Sequence, residues 1–296
     1  MDHLLSVRVA PKGMGINEFV AMEHGFFNRE GLDVEFDMSV FRGTQESWKG
    51  LDYFERPQDR PFAEGEDDNV IQCACQWGTV SNAASGMGQA VQDFYGISPW
   101  GIFVRSDSHI ETPEDLADVP IAVGMRAGSH FNVPYRLEKF LSLDKINCFN
   151  VGGFSARLEA LISGEVEAAS LLPPQIDMAK QLGMRPIIED EFITIWWVPS
   201  HMEKGVVRRY GNALATAENA IANDLHKYLS AWQHCVPTNF SDYKWDFTKF
   251  SRGERFVDST LPEGLIEDIF GEVERWDLAQ HLKTKDPDSI LYSTGL

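Results

Sequence analysis

The order of elements in the first forty residues restricts the fold more than any other feature. Residues 4–10 carry Leu5, Val7 and Val9 at alternate positions, the two-residue period of an edge or half-buried strand. Pro11-Lys12-Gly13-Met14-Gly15 interrupts that period, and a helical stretch runs from about residue 17 to 24. Gly25-Phe26-Phe27 closes the helix, and residues 31–36 return as a second strand. A strand, a glycine-bearing loop, a helix and a strand make a βαβ unit, which implies a parallel sheet. The expected class is therefore α/β.

A second strand–turn–helix follows in the middle of the chain. Residues 119–123 read as a short buried strand; Gly128 and Ser129 then open a helix whose apolar positions include Val133, Leu137, Phe140 and Leu141. A helix start presents unpaired N–H groups and the positive end of the helix dipole, a seat for a small anionic group. Ser129 adds a hydroxyl, and Arg126 and His130 add charge or a titratable donor. Taken alone, such a Gly-Ser pair most often only caps a helix; its neighbours give it more weight.

Residues 42–68 are polar and rich in Gly, Pro, Asp and Glu, a long insertion of the kind that forms lids or stays disordered, with a short helix near Trp48. Further strands are expected at 70–75, 95–104, 164–172, 185–188 and 192–198, with the 164–172 segment ending at Pro173-Pro174. The 70–75 strand runs into Gln76-Trp77-Gly78-Thr79 and a small-residue helix through Ala84; further helices are expected at 111–116, at 155–163 with Leu158, Leu161 and Ile162 inward, and at 175–182, stopped by Gly183. After Pro199 the chain reads as mainly helical, near 203–235 and 262–282.

The 296 residues are 43% hydrophobic, enough for a core divided over two lobes. The net charge of −19 repels nucleic acid and anionic membranes but says nothing about a small ligand. With no run of eighteen apolar residues, no membrane insertion is expected. Cys73, Cys75, Cys148 and Cys235 form no disulfide framework, which fits a reducing compartment. Met1-Asp2-His3 leads straight into the first strand without a leader. The expected location is cytoplasmic, or periplasmic if a signal has been removed.

Several motifs in order resemble the type II periplasmic-binding-protein superfamily, and within it the branch of nitrate, sulfonate and taurine solute-binding proteins and thiamine-pyrimidine synthases. They are Val20-Ala21-Met22-Glu23-His24-Gly25-Phe26-Phe27, Glu30-Gly31-Leu32-Asp33-Val34, Glu111-Thr112-Pro113-Glu114-Asp115-Leu116, Gly128-Ser129-His130, and the run from Leu158 through Gly164 to Ala168. The resemblance covers roughly residues 5–200. It implies two Rossmann-like lobes joined by two crossing segments, near 97–104 and 193–199, with a helical C-terminal segment. Lobe I would hold residues 1–97 and 199–296, and lobe II residues 98–198, with the ligand cleft between them. Loops at the C-terminal ends of strands bind ligands in open α/β sheets. Those loops place Lys12, Met14 and Asn17, Gln76 and Trp77, Arg126, Gly128, Ser129 and His130, and Pro173 with Gln175 at the cleft; Trp196 on a crossing strand could reach it.

A cleft ammonium at Lys12 either pairs with an anion or has a lowered pKa suited to proton transfer. His130 titrates nearest neutrality and could act as donor or general acid–base. Cys73 and Cys75, two apart on a strand, are expected on one side of it. Core packing is their default, with Cys75 the candidate nucleophile beside the loop. Desulfinases of this fold carry their thiol in the first loop, where this chain has no cysteine, and the cysteine-rich motif of the pyrimidine synthases is absent. Arg126 suits a carboxylate or sulfonate through paired hydrogen bonds. Trp77 and the pair Trp196-Trp197 suit an aromatic wall, although core packing is the commoner use of tryptophan. No metal and no cofactor is expected, and no nucleotide, dinucleotide, zinc-protease or serine-hydrolase motif is present.

The expected function is capture of a small organic anion, or an aromatic acid. One route from there is a cofactor-free intracellular enzyme, a lyase or hydrolase such as a decarboxylase or desulfinase, with Lys12, His130 and Cys75 as its working groups. The alternative is the binding component of an ABC importer, whose permease is a partner only if the chain is exported. A homodimer is compatible with either.

Overall fold

The computed structural model describes residues 4–38 and 69–295. The insertion at 42–68, with Trp48, lies outside the described residues. The N-terminal βαβ unit forms as its periodicity implies. β1 (Leu5–Val9) and β2 (Leu32–Phe36) pair in parallel, from Leu5 opposite Leu32 to Val9 opposite Phe36. Between them lie α1 (Asn17–Glu23) and the single turn α2 (Phe26–Arg29). Gly25 separates the two helices at φ 67°, a left-handed conformation that glycine adopts without steric cost. Val7 and Val9 are buried, whereas Leu5 at the strand's start is 37% exposed, so the alternating face is only partly covered.

The chain continues through β3 (Val70–Cys75), α3 (Gln76–Ala84), β4 (Gln89–Val91) and β5 (Tyr95–Val104). The short turn Pro113–Leu116 is 3-10 rather than α, and the Asp115 carboxylate accepts the Glu111 and Thr112 N–H groups, each at 2.9 Å. β6 (Pro120–Val123), α4 (Gly128–Leu137), β7 (Asn147–Asn150), α5 (Phe154–Ser163), β8 (Ala168–Leu171) and α6 (Gln175–Gln181) follow. The last third holds β9 (Arg185–Val198), α7 (Lys204–Asn223), α8 (Leu225–Tyr228), β10 (Arg255–Val257), α9 (Leu265–Arg275), α10 (Pro287–Ile290) and β11 (Leu291–Tyr292).

All eleven strands join one sheet, whose main order is β2-β1-β3-β9-β5-β8-β6-β7. Parallel strands lie at both ends, and the antiparallel pair β9 and β5 lies between them. The two expected crossing segments fall within these central strands. Side-chain alternation divides the core between the faces of the sheet. Val7, Phe103, Ala122, Leu171 and Trp196 pack with α1, α2, α5, α6 and α7. Ile102, Val104, Ile121, Val123 and Ile195 pack with α3, α4 and α9. Helices thus cover both faces of a mixed sheet, the α/β architecture expected from the sequence.

Four local expectations are corrected. Residues 185–198 form one strand, not two, because Glu189, Asp190 and Glu191 stay in register with β5 although their charge interrupts the apolar pattern. α4 ends at Leu137, leaving Phe140 46% exposed instead of buried. The stretch 203–235 is divided between α7, α8 and the 3-10 turn Leu229–His234. β7, β10 and β11 are short strands that the pattern did not reveal, the last two of three and two residues. Among the described residues no helix is long and apolar enough to cross a membrane.

Candidate functional site

The loop after β1 and the end of β3 meet the first turn of α4, and a pocket opens where they converge. The β1 loop supplies Pro11, Lys12 and Met14, β3 supplies Gln72, Cys73 and Cys75, and the approach to α4 supplies Arg126, Ala127 and Gly128. Phe154, Leu172, Phe192 and Trp197 complete an apolar wall. The pocket contains about 690 Å³ of non-atom space, part of it open to solvent. Among the described residues its charged side chains are Lys12 and Arg126, both cationic, with no carboxylate in the lining.

Lys12 is held on the side away from the apolar wall. Its ammonium donates to Thr194 Oγ1 at 3.0 Å and to the Glu254 carboxylate, and lies 4.1 Å from the centroid of the Trp196 ring. Thr194 Oγ1 in turn donates to the second Glu254 oxygen at 2.8 Å. Burial disfavours the charged ammonium, but Cys73, Glu254 and Glu18 outweigh burial and raise the Lys12 pKa. Lys12 is therefore a fixed cation, not a lysine with the lowered pKa that proton transfer at neutral pH needs. A smaller adjoining cavity shares Lys12 and Met14 with the pocket and is lined by Asn17, Glu18, Trp196 and Glu254. There burial raises the Glu18 carboxyl pKa despite Lys12, and the Tyr210 hydroxyl donates to Glu18 at 2.7 Å. Asn17 donates to Glu218 at 2.6 Å.

The turn before α4 is built by the residues that sequence reading placed at the ligand. Ser129 Oγ accepts the Gly124 N–H at 2.9 Å, and Ser129 is fully buried. His130 Nδ1 accepts the Arg126 N–H at 3.0 Å, which fixes the ring proton on Nε2. Burial, and the nearby Arg126 charge, lower the His130 pKa to about 4, so the ring is neutral at pH 7. These bonds hold Arg126 in a left-handed conformation, φ 57°, at the pocket wall, with Nη1 3.1 Å from His281 Nε2. Ser129 and His130 stand behind the lining, and Arg126 and Gly128 form part of it.

The two cysteines of β3 do not share a side. Cys73 faces the Lys12 and Glu18 group, where burial pushes its thiol pKa up. Cys75 packs in the opposite core layer against Gly128, and its Sγ accepts the Gly78 N–H at 3.3 Å as the cap of α3. Cys75 is both the last residue of β3 and the cap of α3, and its side chain turns to the helix start instead of following the face of Cys73. Among the described residues no group of three or more His, Cys, Asp or Glu is placed to hold a metal ion.

Other expected residues lie outside the lining. Gln76 Oε1 accepts the Ile193 N–H at 2.9 Å. Trp77 is fully buried, stacks on Phe131 at 6.1 Å and donates to Glu272. Pro173, joined to Pro174 by a cis bond, and the buried Gln175 sit at the start of α6. Trp196 lies under Lys12, and its neighbour Trp197 is the tryptophan of the pocket wall. Sequence reading selected Trp197 as part of an aromatic wall, but not Gln72, Phe154, Leu172 or Phe192. Phe192, at the start of the crossing strand's last stretch, carried the one usable signal.

No family model and no curated protein sequence matches the chain. Solved structures do. An alkanesulfonate-binding protein, SsuA, from Xanthomonas axonopodis pv. citri, bound to MOPS, aligns with 99% of this chain and 100% of its own at 13% identity and TM-score 0.68. The Candida albicans CA3427 gene product, described as having the generic periplasmic-binding-protein fold, aligns over 98% and 96% at 13% identity and TM-score 0.68. A mutant of the desulfurization enzyme DSZB in complex with biphenyl-2-sulfinic acid aligns over 97% and 96% at 16% identity and TM-score 0.61. The chain has the type II periplasmic-binding-protein fold that its motifs resemble.

Proposed function

We propose that this protein captures a small organic anion with an apolar body and releases it unchanged, as the substrate-binding component of an ABC importer. One observation carries the reading: the pocket is walled by apolar side chains, and among the described residues the charged groups lining it are cations. Few polar groups set in an apolar cleft are the usual form of a small-molecule site. Lys12 is committed to Glu254 and Thr194, so the charge offered at the opening is that of Arg126. The first N–H groups of α4 have no partner within their own helix and add to the attraction for an anion.

Similar structures described as sulfonate-binding proteins, from Xanthomonas axonopodis and Escherichia coli, support the anion. One described as the ligand-binding component of an ABC-type import system, from Staphylococcus aureus, supports the importer. The importer role requires an exported protein, so the proposed location is outside the cytoplasm. Covalent catalysis needs a nucleophile and a base within hydrogen-bond reach. Here the Cys73 thiol is disfavoured from ionising, His130 holds the Arg126 loop, and Lys12 stays charged.

Native mass spectrometry of the protein isolated from its own host tests the reading. The expected result is a bound small anion that is recovered unchanged after hours with purified protein, and that Arg126→Ala fails to retain. A ligand converted to product would establish the cofactor-free lyase or hydrolase instead. A bound cation or neutral sugar would refute the anion.

A further inference from the structure

The pocket contains one polar side chain that the rest of the described protein does not use. Gln72 sits on β3 opposite Trp197 of β9, is 4% exposed and lines the pocket. Gln76, four residues on, spends its carbonyl oxygen on Ile193. The polar groups around Gln72 are likewise engaged: Lys12 with Thr194 and Glu254, and Cys75 with Gly78. The Gln72 amide makes no hydrogen bond to any described residue, and neither of its polar atoms is sealed inside the protein without a partner. Buried amides are almost always bonded, because leaving one unmade forfeits its hydration without return. What completes Gln72 therefore enters through the cavity.

We infer that Gln72 is a specificity-determining residue whose amide binds an uncharged hydrogen-bonding group of the ligand, such as a hydroxyl or carbonyl oxygen. This inference rests on the anion reading above and narrows it. A primary amide offers two donors and an acceptor but no charge. It satisfies a neutral polar group and leaves a second charge on the ligand desolvated and uncompensated. A ligand ammonium would meet no carboxylate among the described lining residues, and Glu254 behind it is occupied by Lys12 and Thr194. The ligand class is then a monoanionic acid with an apolar or aromatic body and one neutral polar substituent, with zwitterions and dianions excluded.

Calorimetric titration with benzenesulfonate, with 3- and 4-hydroxybenzenesulfonate, and with 2-aminoethanesulfonate as the zwitterion tests this. The wild-type protein should prefer one hydroxylated probe to benzenesulfonate by about 10-fold or more, the scale of a hydrogen bond made in a buried site. The zwitterion should bind more weakly than benzenesulfonate. Gln72→Leu should abolish the preference for the hydroxyl while keeping or improving benzenesulfonate affinity, which a merely misfolded variant would not do. Gln72→Glu should weaken all three arenesulfonates. Equal wild-type affinity for all three, or equal loss of all three in Gln72→Leu, overturns the role of Gln72 while leaving the anion reading standing. Failure of every probe to bind the wild-type protein overturns the anion reading, and this inference with it.

Discussion

The Lys12 ammonium and the Trp196 ring face one another at 4.1 Å, so the cation nearest the pocket is anchored before any ligand arrives. Replacing Lys12 by Met leaves the Glu254 carboxylate buried and without its ion-pair partner. Stability to urea should fall by about 3–5 kcal/mol, and Lys12→Met/Glu254→Gln together should recover most of the loss. The sign with pH follows from the raised Lys12 pKa. Its contribution is complete below the unfolded value, about 10.4, and is lost as pH rises through the higher folded value.

His130 behaves in the opposite sense. Its folded pKa of about 4 lies below the ordinary imidazole value of 6.5, so the unfolded chain binds the extra proton first. Stability should decline as pH falls from about 6.5 towards 4, by up to about 3 kcal/mol. Urea midpoints at pH 7 and pH 4.5 measure this decline, which should be smaller in His130→Gln. A ring signal that titrates near 6.5 in the folded protein would contradict the assignment.

Arg126 combines a charge at the opening with a backbone conformation that glycine tolerates better. Arg126→Ala and Arg126→Gly should weaken anion binding alike, by about 10-fold or more for a charge-assisted contact. The glycine variant should nonetheless be more stable than the alanine variant, by about 1 kcal/mol. Titration and thermal unfolding of the pair separate the two effects.

Gly96 lies opposite Thr194 on β9, and a methyl group there would overlap Thr194 Oγ1 and the Glu254 carboxylate. Gly96→Ala should cost about 1–3 kcal/mol, as overpacking does. It should also lower ligand affinity, since the Lys12 anchor moves with Glu254. Unfolding curves and titration of the same preparation give both numbers.

The elements with a clear period were legible: β1, α1 and β2 from their alternation and glycines, β3 to the residue, and α3 in its end at Ala84 but not in its start, since Gln76 and Trp77 read as loop. Where charge interrupted the pattern, reading failed. Glu189, Asp190 and Glu191 read as a break, yet each has a cation from another part of the chain, Lys180 at 2.6 Å, Arg136 at 2.9 Å and Arg255 at 2.9 Å. Partners so distant in sequence leave no local mark. The site was legible in its loops, at Lys12, Met14, Arg126 and Gly128, but in its walls only at Trp197. Phe154 and Leu172 arrive from other elements, and Gln72 looks like any polar residue of a half-buried strand until its amide is seen to make no hydrogen bond to the described residues. Ser129 and His130 stand one step behind the cavity because the first turn of a helix uses its own side chains to set the preceding loop.

β9 runs fourteen residues, paired with β5 along most of its length with one register shift at Ile187, and with β3 and β4 at its far end, so that beyond the shift its register is continuous. A strand that works as a ruler is indifferent to spelling and strict about length. The acidic triplet at 189–191 can exchange letters at modest cost, but a single residue removed there would turn every following side chain to the opposite face. Trp197 would leave the pocket and Trp196 would leave Lys12 in one step. Inherited variation in this segment should therefore appear as substitution and almost never as insertion or deletion.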